Sequence, residues 1–323
     1  MSTNLRKRLL LAAMSTVLIV AILEITGRVT VQTEAPRHDG FVGDEVLGWK
    51  LPANTVINWR GFPASINSLG LRSTAPLAQA NTRILFVGDS SVFGDGVRDD
   101  QTMVSQTAKA LQGSPGVDVQ NAGIPGYTCP QTKILLNRLR PQFQPDILVV
   151  YNMHSDFRKA APHDRVIAAT QLGMFANTGI GKLISQGILT RRVKNKSSNL
   201  TLDEYTNCIT DLVESQKRNG GHTVFLVPIS EPDFPNSPFY GQPDPEPPGE
   251  RLSDYRDAMI AVGAATDSPV IDGPAVTVAA GLTSGTALLD PVHPTPKGHK
   301  IMANHVAKAI KASGWVGTNI PVR

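Results

Sequence analysis

Short runs of apolar residues alternate with longer segments of helical periodicity from Arg83 onward. The apolar runs predict strands at 84–88, 117–123, 146–152, 223–229 and 269–272. The periodic segments predict helices at about 101–112, 129–140, 201–219, 251–266 and 295–312. Strands that are apolar along most of their length are typical of a parallel sheet with helices on both faces. We therefore predict a doubly wound α/β sandwich.

Two stretches interrupt this alternation. Residues 157–200 have a less regular pattern, and residues 234–249, FPNSPFYGQPDPEPPG, are too rich in proline to form a helix. We interpret both as loops beyond the edge of the sheet, where substrates are commonly recognised. The proline-rich stretch is equally consistent with a substrate lid and with an inert surface loop.

The first 80 residues differ in pattern from the rest of the chain. Residues 26–39 are polar enough to be a tether, and residues 40–80 alternate turn signals with short β-like runs such as TVINW at 55–59. We divide the chain into a basic flank (1–8), a transmembrane anchor or signal (9–25), a tether with a small β-rich lead-in (26–80) and a main domain (81–323).

The apolar run at 9–23, LLLAAMSTVLIVAIL, comes after the basic sequence NLRKR. This order favours an N-terminus in the cytoplasm and export of the rest of the chain. The run is short for a spanning helix of ~20 residues, although Ile25 extends it across Glu24, and it is long for a signal core of ~7–15 residues. No A-x-A cleavage site lies after it. We interpret it as an uncleaved anchor, with the main domain on the periplasmic or extracellular side; the alternatives are a cleaved signal and a buried core helix.

The net charge of the 323 residues is +4, and Arg6, Lys7 and Arg8 supply +3 of it. The basic balance therefore does not indicate a nucleic-acid partner. The two cysteines, Cys129 and Cys208, lie in the part predicted to be exported. A disulfide is permitted there, but the sequence does not show that the two residues are close, and we expect free, buried thiols.

Polar residues stand at the ends of the predicted strands. The first strand ends in Gly88-Asp89-Ser90-Ser91, the second ends in Asn121-Ala122-Gly123, and Asp290-Pro291-Val292-His293 precedes the final helix. Ligands of open α/β sheets bind beyond the carboxyl ends of the strands, so these side chains are expected to meet. A serine needs a base to become a nucleophile, and preset N–H donors stabilise the oxyanion that forms. Ser90, His293 and Asp290 can supply the nucleophile, the base and its orienting carboxylate.

Three motifs, GDSS (88–91), NAGIPGYT (121–128) and DPVHP (290–294), stand in the order of those of the SGNH hydrolases, the GDSL-type esterases. The chain resembles this family over about residues 83–312, and the lead-in resembles that of exported, membrane-anchored members. The resemblance implies a flavodoxin-like sheet, Ser90 as nucleophile, the Asp290–His293 pair, and oxyanion donors in the backbone N–H groups of Ser90 and Gly123. Ser91 is then a helix cap or a neighbour.

The third motif of the family, G-x-N-D, is altered here to Met153-His154-Ser155-Asp156. Its asparagine supplies a further oxyanion donor, so the resemblance implies that Ser155 takes this role, with Asn152 and His154 as alternatives. Losing one such donor lowers turnover by ~10²–10³ in comparable enzymes. The alteration also favours a second hypothesis, a catalytically weak or inactive binding or scaffold protein on the same fold.

The sequence lacks the motifs of other common α/β enzymes and nucleotide-binding proteins. The sequence contains no G-x-S-x-G, no G-x-G-x-x-G and no phosphate loop. We expect no metal and no cofactor, and we interpret His299 and His305 as structural or solvated. We predict a serine esterase that hydrolyses or transfers O-acyl groups, with acylated carbohydrate of the envelope or extracellular space as its substrate. A lipase or thioesterase acting on lipid esters is the alternative enzyme, and the oligomeric state is left open.

Overall fold

The computed structural model describes residues 3–31, 40–73, 80–112, 114, 116–161, 164–170, 172, 175 and 177–316. Within these residues the strands are β1 (Val42–Asp44), β2 (Gly48–Lys50), β3 (Thr55–Trp59), β4 (Phe62–Ile66), β5 (Thr82–Gly88), β6 (Val117–Gly123), β7 (Ile147–Tyr151), β8 (His222–Val227) and β9 (Val270–Asp272). The helices are α1 (Thr3–Thr30), α2 (Ser90–Phe93), α3 (Met103–Ala110), α4 (Cys129–Leu139), α5 (His154–Phe157), α6 (Arg165–Thr170), α7 (Gly179–Lys194), α8 (Leu202–Arg218), α9 (Leu252–Ala265), α10 (Gly273–Ala279), α11 (Ser284–Ala287) and α12 (Pro296–Ala312).

Five strands form the central sheet in the order β6-β5-β7-β8-β9, and all of their pairings are parallel. The predicted doubly wound parallel sheet is confirmed, and its order is the flavodoxin-like one, in which the first strand lies between the second and the third. Gly88, the last residue of β5, pairs with Gly123 on one side and with Tyr151 on the other. The residues after Gly88 therefore lie at the point where the strand order reverses, which is where ligands bind in such sheets.

Both faces of the sheet are buried, because successive side chains of a strand point to opposite sides. Leu85 and Val87 of β5 pack with α4, α8 and α9, while Ile84 and Phe86 pack with α3 and α12. This burial explains the nearly continuous apolar strands in the sequence. The five predicted strands and the five predicted helices are confirmed, and their ends differ from the predicted ones by no more than two residues.

The interpretation of residues 157–200 as a loop is wrong. They contain α6 and α7, and α7 has 16 residues. It buries Gly181, Ser185 and Leu189 on one side, whereas Ile184 on another side is exposed. Apolar residues on two sides blur the helical periodicity of the sequence. Residues 234–249 contain no helix, as predicted.

The N-terminal helix α1 is long and apolar enough to cross a membrane, with a mean hydropathy of 2.4, although a signal sequence near an N-terminus meets the same criterion. The most apolar part of α1 is not buried inside the structure, so the interpretation as a core helix is excluded. The helix includes residues 26–30, which the sequence pattern assigns to the tether. Most of the remaining tether, residues 32–39, lies outside the described residues.

The lead-in forms two antiparallel hairpins, β1–β2 and β3–β4. Trp49 and Trp59 from these hairpins cluster with Phe93 and Tyr127 of the main domain. Trp49 donates its indole N–H to Pro125 O over 3.0 Å, and Tyr127 donates its hydroxyl to Trp49 O over 2.5 Å. The lead-in therefore packs against the segments after β5 and β6, next to the edge of the sheet where a ligand would bind.

Cys129, the first residue of α4, forms a disulfide with Cys208 in α8. The expectation of free thiols is wrong. The two cysteines are 79 positions apart in the sequence, and only the packing of α4 beside α8 on one face of the sheet brings them together. A disulfide that closes a long loop stabilises a fold by about 2–4 kcal/mol. Such bonds persist in oxidising compartments, which fits export of this part of the chain.

Candidate active site

The chain turns sharply between β5 and α2. A side chain at Gly88 would not fit, because a Cβ there would lie 2.6 Å from Val92 Cγ2. Asp89 caps α2, and its Oδ1 accepts the backbone N–H of Ser91 over 3.0 Å. Ser90 is consequently the first residue of α2, at the carboxyl edge of the sheet.

The structure brings together the three residues predicted to be the nucleophile, the base and the orienting acid. Ser90 Oγ and His293 Nε2 are 2.8 Å apart, and His293 Nδ1 lies 2.6 Å from Asp290 Oδ2. Asp290 Oδ1 also accepts the backbone N–H groups of Val292 and His293, over 3.0 and 2.9 Å. Partial burial opposes ionisation of Asp290, but these hydrogen bonds hold its pKa below the usual value. The imidazole therefore has an ionised carboxylate on Nδ1 and a hydroxyl on Nε2 at neutral pH.

Ser91 and Asp89 are both buried and have other partners. Ser91 donates its hydroxyl to Val292 O over 3.2 Å, so it connects α2 to the turn that carries His293. Asp89 Oδ2 accepts the N–H and the hydroxyl of Ser155 over 3.2 and 3.3 Å. Burial raises the pKa of Asp89 above its usual value in spite of these hydrogen bonds. Both side chains hold in place the turn that carries Ser90.

A second carboxylate, which the sequence pattern does not single out, approaches the imidazole. Asp95 Oδ2 lies 3.5 Å from His293 Nε2 and 3.1 Å from Arg60 Nη1. Its Oδ1 accepts the indole N–H of Trp59 over 3.0 Å. Trp59 and Arg60 belong to the hairpin of β3 and β4, so the lead-in orients this carboxylate. In the sequence, Asp95 stands in a Gly-Asp-Gly turn that gives no sign of a role in the site.

Arg72 fixes the loop that carries Asp95. The residue is 3% exposed, and its guanidinium donates to the carbonyl oxygens of Phe93, Gly94 and Val97 over 2.9, 2.7 and 2.8 Å. It also pairs with a carboxylate oxygen of Asp99 over 2.7 Å. Burial lowers the pKa of Arg72, yet a guanidinium stays protonated in proteins. The fixed geometry of its donors makes this loop rigid.

The prediction that Gly123 supplies an oxyanion donor does not fit this geometry. The N–H of Gly123 donates to Asn121 Oδ1 over 2.9 Å, and Asn121 Nδ2 donates to Val92 O over 2.8 Å. Gly123 is buried against the backbone of α2, where a Cβ would overlap Phe93 N. This glycine is needed for the close packing of β6 against α2, and its N–H already has an acceptor.

Gly126, three residues further along the same motif, lines the cleft together with Ser90 and His293. Its φ is +81°, in the left-handed region that favours glycine. Within the described part of the chain, no acceptor takes the backbone N–H of Gly126 or that of Ser90. The motif NAGIPGYT contains both glycines, and the sequence alone does not show which of the two has a free N–H.

The altered third motif places its side chains differently from the prediction. Ser155 lines the cleft, but its hydroxyl and its N–H both donate to Asp89. Asn152 is fully buried and donates Nδ2 to Thr132 Oγ1 over 3.0 Å, and it is not among the residues that line the cleft. Asp156 is buried and accepts the backbone N–H of Cys129 over 2.6 Å.

His154 is the remaining candidate of this motif, and it also lines the cleft. Its Nε2 lies 3.0 Å from Ser230 Oγ, and Arg256 Nη2 donates to the same oxygen over 3.2 Å. Ser230 Oγ accepts from Arg256 and keeps its own proton and a second lone pair, so it can pair with either neutral tautomer of His154. Burial, together with the charge of Arg256, lowers the pKa of His154 to about 3. The ring is therefore neutral at pH 7, and Nδ1 has no hydrogen-bond partner among the described residues.

The cleft has a volume of about 450 Å³. Apolar side chains form much of its wall around the polar residues described above, namely Phe157, Pro232, Leu252, Pro291 and Val292. The proline-rich stretch 234–249 contributes none of the lining residues, although Pro232 and Leu252 stand just outside its two ends. The cleft is consequently an apolar-walled space with the serine and the histidine on its surface.

The two other histidines singled out in the sequence lie on α12. His299 is buried, and its Nδ1 accepts the backbone N–H of Met103 over 3.2 Å, which joins α12 to α3. Burial lowers the pKa of His299 to about 3. His305 is half-buried on the same helix. Over the described ranges, no group of three or more histidine, cysteine, aspartate or glutamate residues is arranged to hold a metal ion.

In structure, the chain is similar to Axe2, an acetylxylan esterase from Geobacillus stearothermophilus, with 19% identity over 72% of this chain and 94% of that chain and a TM-score of 0.48. It is also similar to LAE5, an alpha/beta hydrolase enzyme from the metagenome of Lake Arreo, Spain, with 16% identity over 73% of this chain and 97% of that chain and a TM-score of 0.47.

No curated protein matches the sequence. Residues 86–301, two thirds of the chain, match the sequence model of the GDSL-like Lipase/Acylhydrolase family. The matched segment contains Ser90, Asp290 and His293. The chain therefore belongs to the GDSL-like lipase/acylhydrolase family, and the protein is a carboxylic ester hydrolase.

Proposed function

We propose that the protein is a serine esterase in which Ser90 attacks the carbonyl carbon of an ester. The observation that carries this proposal is the distance of 2.8 Å between Ser90 Oγ and His293 Nε2. His293 takes the hydroxyl proton as the new C–O bond forms, and ionised Asp290 orients the ring and stabilises the imidazolium.

The remaining steps use the same residues. Collapse of the tetrahedral intermediate breaks the bond to the leaving alcohol, which takes the proton from His293. Water then attacks the acyl group on Ser90 and gives a proton to His293; release of the carboxylic acid returns that proton to Ser90. A sugar hydroxyl in place of water would give acyl transfer. Asp95, 3.5 Å from His293 Nε2, places a second negative charge beside the imidazolium.

Three N–H groups are the proposed oxyanion donors: the backbone N–H groups of Ser90 and Gly126, and the Nδ1–H of His154 in the tautomer that accepts the Ser230 hydroxyl proton on Nε2. All three residues line the cleft. None of the three nitrogens has a hydrogen-bond partner among the described residues. Donors that are already in place stabilise a developing negative charge without reorganisation.

The proposed substrate is an O-acylated carbohydrate of the envelope or the extracellular space, as the family resemblance implies. A lipid ester is the second candidate, and the apolar wall formed by Phe157, Leu252 and Val292 favours it. Activity on acetylated polysaccharides, compared with activity on p-nitrophenyl acetate, butyrate and octanoate, distinguishes the two. Preference for acetate supports the carbohydrate substrate, and preference for octanoate supports the lipid ester.

The proposed location is outside the cytoplasm, with α1 as an uncleaved anchor. The basic residues Arg6, Lys7 and Arg8 before the apolar run favour this orientation, and the Cys129–Cys208 disulfide fits an oxidising compartment. Mass spectrometry of the membrane-bound protein checks the anchor, because a cleaved signal would remove the N-terminal residues.

Labelling with a fluorophosphonate probe tests the proposed chemistry. The native protein should be labelled on Ser90, and His293→Ala should abolish labelling, since the hydroxyl then has no base. Ser91→Ala is the matched control, because the neighbouring hydroxyl is turned to Val292 O, and it should still be labelled. A Ser90→Ala variant that hydrolyses p-nitrophenyl acetate at the native rate would overturn the proposal.

A further inference from the structure

The segment from residue 165 to residue 202 contains no acidic residue and six basic ones: Arg165, Lys182, Arg191, Arg192, Lys194 and Lys196. The whole chain carries a net charge of only +4, so this segment is far more basic than the rest. Arg191 and Lys194, near the end of α7, are exposed, whereas Arg192 pairs with Glu204. An exposed cluster of basic residues attracts anionic surfaces.

The same helix also exposes apolar side chains. Ile184 is 48% exposed, and Phe175, shortly before the helix, is 66% exposed. Ile180, Ile184 and Ile188 are spaced four residues apart and so lie along one side of α7, about 100° around the helix from the buried row of Gly181, Ser185 and Leu189. Ile184 is exposed, and the other two isoleucines are half-buried. α7 as a whole is only weakly amphipathic, so the feature that suits a membrane interface is local: the exposed Ile184 and the exposed basic residues near the end of the helix.

The N-terminus of α7 is joined to the C-terminal part of α1. Glu24, the one acidic residue of α1, accepts the backbone N–H of Ile180 on its Oε2 over 3.2 Å. Gly27 of α1 and Gly179 of α7 let the two backbones touch, because a Cβ on either glycine would overlap the other helix. Glu24 comes directly after the apolar run at 9–23. This contact between α1 and α7, called the joint below, therefore lies at the C-terminal end of the apolar part of α1.

We infer that α7 lies in the headgroup region of an anionic phospholipid bilayer, with Ile184 in contact with lipid and Arg191 and Lys194 near the phosphates. The inference rests on the proposed insertion of α1, because the joint at Glu24 and Gly27 then holds α7 at the bilayer surface. α1 and α7 together fix the orientation of the main domain relative to the membrane.

A fluorescent probe at position 184 tests this placement in the full chain. Ile184→Cys is labelled with NBD and reconstituted in nanodiscs that contain phosphatidylglycerol; the native cysteines form a disulfide and do not react. Lys308→Cys, an exposed position on α12, is the matched control. Doxyl-labelled lipid should quench the probe at 184 about three-fold more than the probe at 308, with a blue-shifted emission.

Two further variants define the outcomes. Met14→Cys, in the apolar run of α1, reports whether α1 is inserted, and Arg191→Glu with Lys194→Glu should reduce the quenching at 184. Equal quenching at 184 and 308 while Met14→Cys is strongly quenched would overturn the inference, and so would loss of α1 by cleavage. The readout is membrane depth, so an inactive Ser90 or a different substrate would leave the result unchanged.

Discussion

Trp59 donates its indole N–H to Asp95 Oδ1 over 3.0 Å, while the other oxygen of the same carboxylate lies 3.5 Å from His293 Nε2. A residue of the lead-in therefore orients a charged group beside the imidazole of the main domain. The imidazole thus has a carboxylate near each ring nitrogen, since Asp290 contacts Nδ1.

Asp95→Asn keeps the size of the side chain and an acceptor for Trp59 but removes the negative charge. Two unit charges about 4 Å apart interact by ~4 kcal/mol at an effective dielectric constant of about 20. His293 Nε2 is closer to Ser90 Oγ, at 2.8 Å, than to Asp95, at 3.5 Å, so only part of this energy stabilises the imidazolium. We therefore expect kcat/KM for p-nitrophenyl acetate to fall about 10-fold. Asp100→Asn, an exposed carboxylate nearby, is the control. Unchanged kinetics in Asp95→Asn would limit this residue to a structural role.

His154→Phe removes the Nδ1–H and keeps an aromatic ring in the cleft. We expect kcat to fall by ~10²–10³ with little change in KM, because the donor acts on the oxyanion and not on the bound ester. Ser155→Ala should change kcat much less, since its hydroxyl donates to Asp89 over 3.3 Å. Steady-state kinetics of both variants show which of the two side chains is the oxyanion donor. A larger loss of kcat in Ser155→Ala than in His154→Phe would assign the donor to Ser155.

Asp156 gives a prediction for stability against pH. Burial raises the pKa of its carboxyl well above the usual 3.8, and its Oδ2 has no partner among the described residues. The folded state then keeps this proton at a pH where the unfolded state loses it, so its contribution to stability falls as pH rises from 3.8 towards the raised value.

Asp156→Asn cannot ionise and still accepts the N–H of Cys129. We expect its Tm to exceed that of the native protein at about pH 8 and the difference to shrink at about pH 4. Thermal unfolding monitored by circular dichroism across this range measures both curves. A difference in Tm that does not vary with pH would show that Asp156 does not titrate in this way.

The double variant Cys129→Ala/Cys208→Ala tests the disulfide. Its free energy of unfolding should be lower by about 2–4 kcal/mol, because the unfolded chain is no longer constrained by the cross-link. Urea unfolding with and without reductant measures this: reductant should destabilise the native protein and leave the variant unaffected. Equal effects of reductant on both proteins would mean that the bond does not contribute.

The sheet and the three central site residues are predictable because their signals are local. Strands buried on both faces are apolar throughout, and Ser90, Asp290 and His293 stand at strand ends that a parallel sheet brings to one edge. The choice between Gly123 and Gly126 is not predictable, because it depends on the Asn121 side chain that takes the N–H of Gly123.

Contacts between distant segments account for the other differences. Cys129 and Cys208 have no local pattern that pairs them. The position of Asp95 beside the imidazole depends on two distant residues. Arg72 donates to the loop that carries Asp95, and Trp59 of the β3–β4 hairpin donates to its carboxylate. α7 carries apolar residues towards both the protein core and its exposed side, which a single-face pattern does not describe.

The hydrogen bonds of Trp49 to Pro125 and of Trp59 to Asp95 fix the two segments that lie beside Ser90 to the lead-in. A recombinant fragment that started at β5 would contain every motif residue and still lack both hydrogen bonds. Without the hairpins, Asp95 would lose the indole donor that orients it, and Pro125, next to Gly126, would lose its contact with Trp49.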